Sequence, residues 1–360
     1  IDDKTDGLLI KSENFQALIL LMERYKEKVK CIYIDPPYNT EKDRQEGKFL
    51  YKDNFSHSTW VTFLNQLVNI SQDFLSKDGA FFASCDENEF LNFGKLLCDI
   101  MGENNHVETL IWNKRVPKND KGIGNIHEYI YLFSKDQSFR VKNELPYVML
   151  KDDLEDIYAL VEKCKNENKT ISETQIILKE FYKKQGYDRG ITLYCELDPN
   201  YQIWGKINLS WPNAKTEGPR YEVINPITNK PVPIPKKGWR WKEETFRAAE
   251  KDGDTYYLPD GSMMKGRIWY SPNENIQPSS ITYLKDVETF LLRSIISLKS
   301  DGSLSLEALG LGNTIDYPKP IELMESLLFA VNSKQGYFLD YFAGSGTTAH
   351  AVINLNREDG

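Results

Sequence analysis

The chain has 360 residues and a formal net charge of −8, from 45 Lys and Arg against 53 Asp and Glu. This length predicts a substantial core and about two domains, and the acidic balance excludes binding of nucleic acid through overall charge, so such a partner needs a locally basic surface. No stretch approaches the roughly 18 apolar residues of a membrane span, residues 1–10 lack the pattern of a signal peptide, and the five cysteines lack the close spacing of a zinc or redox site. We therefore expect a cytoplasmic protein with reduced thiols and no metal.

The first 140 residues alternate helical and strand patterns. Helical spacing of apolar residues predicts helices, and short apolar runs predict buried strands. The predicted helices cover residues 14–25, 59–75 and 87–101, and the predicted strands cover residues 29–34, 80–84, 107–112 and 129–133. This alternation predicts a mostly parallel sheet with helices on both faces, in which ligands bind beyond the carboxyl ends of the strands.

The first predicted strand, residues 29–34, runs directly into Asp35-Pro36-Pro37-Tyr38. The two prolines lack backbone N–H groups, so the carbonyls of Asp35 and Pro36 are left to accept hydrogen bonds from elsewhere. A carboxylate, a bare carbonyl and an aromatic ring within four residues suit a planar base that carries an exocyclic amino group. Taken alone, the same residues also fit a strand that ends in a proline turn.

From about residue 139 the composition changes. A helix is predicted at residues 172–184, and residues 206–242 then carry eight basic and two acidic side chains, a local charge of +6. Five of the seven tryptophans fall within residues 204–269. Basic residues interleaved with aromatics are typical of a nucleic-acid surface. A loop-rich β insertion whose tryptophans form a small core explains the pattern equally well.

The last segment returns to the α/β pattern. It predicts a helix at residues 321–331, a strand at residues 337–340, a turn containing Gly344 and Gly346, and a helix at about residues 348–356. Glycines let the backbone approach a ligand, and a helix amino terminus offers free N–H groups. Without a phosphate-binding lysine, the best-fitting anion is a carboxylate such as that of methionine; a connection without a ligand is the alternative. The chain begins without methionine and ends inside a predicted element, so we expect a fragment of a longer protein, truncated at its carboxyl end.

Together, two motifs resemble those of a known family. The tetrapeptide Asp35–Tyr38, followed about three hundred residues later by Phe342-Ala343-Gly344-Ser345-Gly346, resembles the DNA amino methyltransferases that use S-adenosylmethionine. The catalytic motif comes first and the cofactor loop last, which is the order of the β class. Further stretches resemble the modification (Mod) subunits of type III restriction systems, at residues 8–14, 218–226, 239–241 and 316–320. One departure is that Ser12 and Glu13 stand where the family usually has Gly-Asp.

The resemblance implies an α/β fold with a Rossmann-like methyltransferase sheet, a circularly permuted motif order and an inserted target recognition domain. The implied domains are a first catalytic part at residues 1–140, the insertion at residues 141–308, and a second catalytic part with the cofactor loop at residues 309–360. The resemblance also implies S-adenosylmethionine as cofactor, double-stranded DNA as substrate, a homodimer, and a restriction (Res) subunit as a further partner in a prokaryotic cell.

The resemblance assigns two groups of residues, and the local charge of +6 suggests a third. The implied catalytic residues are Asp35, Pro36, Pro37 and Tyr38. The implied cofactor contacts are Glu13, Asn14, Asp35, Lys319, Asp340, Phe342, Gly344, Ser345, Gly346 and Thr347. On the basic segment we expect DNA contacts from Arg220, Lys236, Lys237, Arg240 and Trp241.

The implied reaction is methylation of the N6 amino group of an adenine that is flipped out of the duplex. No Pro-Cys dipeptide occurs, which argues against attack by a thiolate and methylation at a cytosine carbon. Two alternatives stay open: methylation of the cytosine N4 amino group, which uses the same chemistry, and a catalytically silent subunit that only recognises DNA.

Overall fold

A computed structural model describes residues 7–39, 57–120, 123–151, 153–213, 215–298, 302–312, 317–333 and 335–359. The chain divides into two compact units. The first unit combines residues 1–149 with residues 290–360, and the second unit is residues 150–289. The predicted insertion at residues 141–308 is longer at both ends than this second unit.

The first unit contains most of the regular α/β structure. Its helices are α1 (Asn14–Tyr25), α2 (His57–Ser71), α3 (Phe90–Met101), α4 (Gln137–Lys142), α9 (Ser303–Ala308), α10 (Ile321–Ala330) and α11 (Thr347–Asp359). Its main strands are β1 (Val29–Ile34), β2 (Leu75–Cys85), β3 (His106–Asp120), β4 (Ile123–Ser134), β13 (Ile295–Ser297) and β14 (Tyr337–Asp340). Agreement with the predicted elements is within a few residues for α1–α3, α10, α11, β1 and β14. Strands β2, β3 and β4 are longer than predicted, and α4, α9 and β13 were not predicted.

The six strands form one sheet in the order β13-β3-β4-β2-β1-β14. Strand β1 lies between β2 and β14 and is parallel to both, β3 is parallel to β13, and β4 is antiparallel to its two neighbours. The sheet is therefore mostly parallel, as predicted. Because Tyr33 of β1 pairs with Asp340 of β14, the loops that follow these two strands leave the same edge side by side.

Helices cover both faces of this sheet because its strands are apolar on both sides. Ile32 and Ile34 of β1 pack in a buried cluster with side chains of α1, α2 and α3. The alternate residues Cys31 and Tyr33 pack on the other face, with side chains of α10 and α11. This period of two along a buried strand places helices on both faces, as a Rossmann-like fold requires.

The second unit is built around an antiparallel sheet. Its helices are α5 (Leu154–Asn166), α6 (Ile171–Gln185), α7 (Arg189–Thr192) and α8 (Glu243–Ala249). Its strands β6 (Glu196–Leu197), β7 (Ile203–Asn208), β8 (Thr255–Tyr257), β9 (Met263–Lys265), β10 (Ile268–Tyr270) and β11 (Ser279–Tyr283) pair in the order β6-β7-β11-β10-β9-β8. A separate two-stranded sheet pairs β5 (Val148–Leu150) with β12 (Thr289–Leu291), and most residues of both strands belong to the first unit.

Most tryptophans of the second unit belong to its core. Trp204 and Trp239 are fully buried and Trp269 is nearly so, in clusters with residues such as Met264 and Phe246. Trp211 and Trp241 are half-buried. The core interpretation therefore accounts for three of the five tryptophans. Across the described ranges, no helix is long and apolar enough to cross a membrane.

Candidate active site at the carboxyl edge of the first sheet

The loop Asp35–Asn39, here called the catalytic loop, leaves the carboxyl end of β1. The indole Nε1 of Trp60 on α2 donates to the Pro37 carbonyl at 2.7 Å. Among the described residues, none donates to the neighbouring Pro36 carbonyl. One proline carbonyl is thus used to fix the loop, while the other is available to a ligand.

Lys319 lies at the centre of the site, on the segment that precedes α10. Its Nζ is 2.8 Å from Asp35 Oδ1, 2.7 Å from the Tyr38 hydroxyl and 3.3 Å from Glu128 Oε2. Its side chain is only 10% exposed. One buried ammonium group therefore joins the carboxylate and the aromatic ring of the predicted catalytic motif to a second carboxylate, which comes from β4.

Glu128 is held as an anion by two lysines. Its Oε2 accepts from the Tyr38 hydroxyl at 3.1 Å, and its Oε1 forms an ion pair with Lys114. Burial favours the neutral acid, but the ammonium groups of Lys319 and Lys114 outweigh it and lower the pKa of Glu128 to about 2. Burial also opposes the charge on Lys319, yet the carboxylates of Asp35 and Glu128 raise its pKa above its usual value.

Tyr38 remains a neutral phenol in this network. Burial, reinforced by the negative charges of Asp35 and Glu128, raises its pKa well above the usual value. The hydroxyl oxygen accepts from Lys319 while its proton is donated to Glu128. These two bonds fix the orientation of the ring, and the Lys319 ammonium lies 4.8 Å from the ring centroid.

The glycine loop, residues Phe342–Thr347, leaves the adjacent strand β14. Gly344 and Gly346 have φ values of 51° and 77°, a left-handed conformation that favours glycine. Ser345 and Thr347 bond to each other through their hydroxyl oxygens at 2.7 Å, and α11 begins at Thr347. The loop thus directs the amino terminus of a helix toward the same edge of the sheet as the catalytic loop.

Asp340, the last residue of β14, braces this loop. One carboxylate oxygen accepts from the Phe342 N–H at 2.9 Å and the other from the Thr348 hydroxyl at 2.6 Å. Burial raises the pKa of Asp340 to about 6, the two hydrogen bonds oppose that rise, and the charge of Asp35 adds to it. The electrostatic effect of Asp35 is consistent with the adjacent positions of the two strands.

Two predicted cofactor residues lie at the start of α1. Glu13 is the N-cap of this helix and accepts from the Gln16 N–H at 3.2 Å, and Asn14 accepts from the Phe15 N–H at 3.0 Å. Among the described residues, neither forms a hydrogen bond or ion pair with the catalytic loop or the glycine loop. Their positions are accounted for by the start of the helix alone.

The predicted DNA contacts lie in the second unit. Arg220 donates to the Lys236 carbonyl at 2.6 Å and lies 3.6 Å from the Glu217 carboxylate. The side chains of Lys236, Lys237 and Arg240 are exposed. Trp241 is half-buried and packs against the cluster around Trp239. Backbone bonds from Gly218 to Lys237 and from Trp239 to Pro219 hold these loops together.

Sequence reasoning missed several residues that complete the first unit's site: Lys114, Glu128, Trp60, and Glu89, whose carboxylate accepts from Asn39 Nδ2 at 2.7 Å. Glu128 carried a weak signal, because it is a carboxylate directly before the predicted buried strand at residues 129–133. The others lie far from the motif in sequence and carried none. Within the described part of the chain, no group of three His, Cys, Asp or Glu side chains is placed to hold a metal ion.

Comparison with known proteins shows which protein family the chain matches. The family described as DNA methylase (N6_N4_Mtase) matches residues 29–358. The Mod subunit of the type III restriction-modification enzyme EcoP15I from Escherichia coli is 31% identical over 98% of this chain and 56% of its own length. The type II methyltransferase M.KpnI from Klebsiella pneumoniae is 25% identical over 99% of this chain and 79% of its own length.

Likeness to solved structures is more limited. The complex of M1.HpyAVI with SAM aligns with 40% of this chain and 58% of its own, at 15% identity and a TM-score of 0.25, which is too partial to bear on function. The chain spans about half the length of the type III Mod subunit that it matches, 56% in the case of EcoP15I.

Proposed function

Because the chain belongs to the DNA methylase (N6_N4_Mtase) family, we propose that it is the methyl-transferring part of a site-specific DNA methyltransferase. In this proposal it uses S-adenosylmethionine and modifies the N6 amino group of adenine in the cytoplasm of a prokaryote. The observation that carries the proposal is the pairing of two loops at one sheet edge. Asp35 and Tyr38 follow β1, and the glycine loop follows the adjacent strand β14.

The catalytic loop offers two acceptors to an amino group. An adenine amino nitrogen is a poor nucleophile because its lone pair is delocalised into the ring. Lys319 occupies Asp35 Oδ1, so Oδ2 is the oxygen that would accept one N–H, and the Pro36 carbonyl would accept the other. These bonds would turn the lone pair out of conjugation and stabilise the positive charge that develops on nitrogen.

Tyr38 would stack on the base, which must be flipped out of the duplex to reach this pocket. The bonds from its hydroxyl to Lys319 and Glu128 hold the ring in place before the base arrives. S-adenosylmethionine supplies a methyl group that is already activated on a sulfonium centre. The protein therefore acts mainly by alignment, which by itself supplies a large share of the rate.

The cofactor contacts proposed here are Glu13, Asn14, Asp340, Phe342, Gly344, Ser345, Gly346 and Thr347. The first turn of α11 has free N–H groups, which suit the carboxylate of the methionine part. The geometry favours a different role for Lys319, because its Nζ is engaged by Asp35, Tyr38 and Glu128. We assign Lys319 to the orientation of the catalytic loop rather than to the cofactor.

We assign the second unit to target recognition. Its exposed lysines, Lys236 and Lys237, are suited to phosphate contacts, which fix a protein on DNA without reading its sequence. Replacing both by Glu should weaken DNA binding and reduce the slope of log affinity against log salt by about 2, at roughly 0.9 per phosphate contact. Lys251→Glu, an exposed lysine outside the basic segment, is the matched control. An unchanged affinity and slope would refute this assignment.

Double-stranded DNA, a second copy of the chain and a restriction (Res) subunit are the partners that we propose. The Res subunit is suggested by the relative named as the Mod subunit of a type III restriction-modification enzyme. Sedimentation of the purified protein, alone and with DNA, tests the homodimer, since a monomer at all concentrations would contradict it.

The reaction is tested by incubating the protein with mixed-sequence DNA and labelled S-adenosylmethionine, then analysing the nucleosides by mass spectrometry. We expect N6-methyladenine from the wild type and none from Asp35→Ala. Asp99→Ala, which alters an exposed surface pair with Lys95, should match the wild type. N4-methylcytosine would keep the chemistry and change the target base. No methylated base with the cofactor still bound would favour the silent recognition subunit.

A further inference from the structure

Behind the catalytic loop lies a buried carboxylate that the proposed reaction does not use. The side chain of Glu89 has no exposed surface, and it accepts three hydrogen bonds from other side chains. Its donors are Asn39 Nδ2 at 2.7 Å, His57 Nδ1 at 2.8 Å and Asn92 Nδ2 at 2.8 Å. Burial of a carboxylate costs free energy unless the group is fully hydrogen-bonded, and the three donors supply those bonds here.

Glu89 occupies a position that would ordinarily serve its own helix. It is the N-cap residue of α3, yet its side chain makes no capping hydrogen bond. An N-cap carboxylate usually accepts from the first turn of its helix and stabilises it by about 1 kcal/mol. Here the carboxylate instead turns toward Asn39, 50 residues earlier in the chain.

Asn39 directly follows Tyr38 and has a left-handed backbone, with φ at 57°. Asparagine tolerates that conformation better than most residues, but it still needs support from neighbouring groups. The bond to Glu89 provides the support at this end of the catalytic loop, as the bond from Trp60 to the Pro37 carbonyl does one step earlier.

We propose that Glu89 is a positioning residue of this active site: through Asn39 it sets the backbone after Tyr38, and so the placement of Tyr38 and Asp35 on the amino group to be methylated. Glu89 touches neither the base nor the methyl donor. This proposal rests on the proposed methyltransferase function. It predicts that a change at Glu89 lowers kcat while the binding of S-adenosylmethionine is preserved, because the glycine loop is held by separate contacts.

The principal test is Glu89→Gln, which removes the charge and replaces one of the two acceptor oxygens by an NH2 group that faces a donor. We expect kcat for N6-methyladenine formation to fall by up to about 100-fold, the effect of a displacement near 1 Å at a reacting centre. The KM for S-adenosylmethionine should stay at the wild-type value. Glu87→Gln, an exposed carboxylate two residues earlier, is the matched control and should leave both constants unchanged.

A double variant that exchanges donor and acceptor between positions 39 and 89 distinguishes a positioning role from a general loss of stability. In the double variant Asn39→Asp/Glu89→Gln, the amide at position 89 can donate to the carboxylate at position 39, so the link is rebuilt in the opposite sense. We expect this variant to recover a substantial part of the kcat that Glu89→Gln loses. Equal kcat for Glu89→Gln and wild type, or no recovery in the double variant while it remains folded, would overturn the proposal.

A measurement that does not depend on enzymatic activity distinguishes this proposal from the proposed function. Hydrogen exchange at the Tyr38 and Asn39 amides should be faster in Glu89→Gln than in wild type, with exchange in the glycine loop unchanged. If the wild type methylates no DNA, the proposed function fails, and exchange alone decides whether Glu89 holds the loop. If the wild type is active but exchange at Asn39 is unaltered by Glu89→Gln, the positioning role is refuted.

Discussion

The two loops of the candidate site leave adjacent parallel strands, yet they are stabilised in different ways. The catalytic loop is fixed by distant side chains: Trp60, Glu89, Glu128 and Lys319 all bond to it. The glycine loop is fixed by its own neighbours, through bonds among Asp340, Phe342, Ser345, Thr347 and Thr348. The hydrogen bonds of the catalytic loop thus come from across the first unit, whereas those of the glycine loop come mostly from its own stretch of chain, with Phe342 packed in the core beside Phe63 of α2.

This difference matches the tasks proposed for the loops. Orientation of an amino group for attack tolerates little displacement, so its acceptors need support from several directions. Binding of a flexible cofactor through backbone groups needs mainly a conformation that only glycine adopts easily. Changes behind the catalytic loop should therefore act on kcat, whereas changes in the glycine loop should act on KM for the cofactor.

The largest expected effect comes from Lys319→Met, which removes the cation between Asp35 and Glu128. We expect kcat to fall by about 10²- to 10³-fold, as for loss of one preorganised electrostatic contact. Lys319→Arg should retain part of the activity because it keeps the charge. Lys95→Met, an exposed lysine on α3, is the control. A raised KM for S-adenosylmethionine with unchanged kcat would instead make Lys319 a cofactor contact.

The two loops should also differ in the sign of their dependence on pH. Burial raises the pKa of Asp340 from 3.8 to about 6, so the folded chain holds that proton more tightly and loses stability as pH rises from about 4 to 6. Lys319 and Lys114 overcome burial and lower the pKa of Glu128 from 4.5 to about 2, so its contribution is lost as pH falls from about 4.5 to 2.

Denaturant unfolding of Asp340→Asn and Glu128→Gln from pH 2 to 8 tests this contrast. Asp340→Asn should be more stable than wild type above pH 6, and the advantage should vanish near pH 4. Glu128→Gln should be less stable than wild type at pH 7, and its deficit should shrink as the pH falls toward 2. A deficit of Asp340→Asn that is constant across the range would show that its hydrogen bonds outweigh the cost of burial.

A smaller effect is expected from Gly346→Ala in the glycine loop. An added Cβ meets nothing within 4 Å, so the cost is conformational, about 1 kcal/mol for a left-handed residue. We expect KM for S-adenosylmethionine to rise about five-fold, since 1.4 kcal/mol corresponds to tenfold, with kcat unchanged. Gly7→Ala has equal space and no positive φ, and it should leave KM unaltered. A drop in kcat instead of a rise in KM would remove the distinction between the loops.

The same contrast between the two loops explains which parts of the site could be predicted from the sequence. The glycine loop, its strand and its helix could be predicted because the apolar run, the two glycines and the helical spacing follow one another directly in the sequence. The motif Asp35–Tyr38 could be recognised, but its supports could not, because they depend on burial and on pairings across 23 to 284 residues. The helix that contains Asn92 starts at Phe90 rather than at residue 87, since Asp86 accepts from the Asn88 N–H and turns the chain first.

The pairing of β1 with β14 joins Val29 to Tyr337 across most of the chain. During synthesis, strand β1 is complete long before its partner is made, so the site cannot assemble until the second unit and the segment with Lys319 have left the ribosome. Loop closure costs only about 0.6 kcal/mol for each doubling of length, so the insertion is inexpensive at equilibrium. The long separation between the paired strands instead lowers the folding rate, because sheets with distant partners fold slowly. In a cell, the chain of the second unit would therefore be complete before the proposed methyl-transfer site could form.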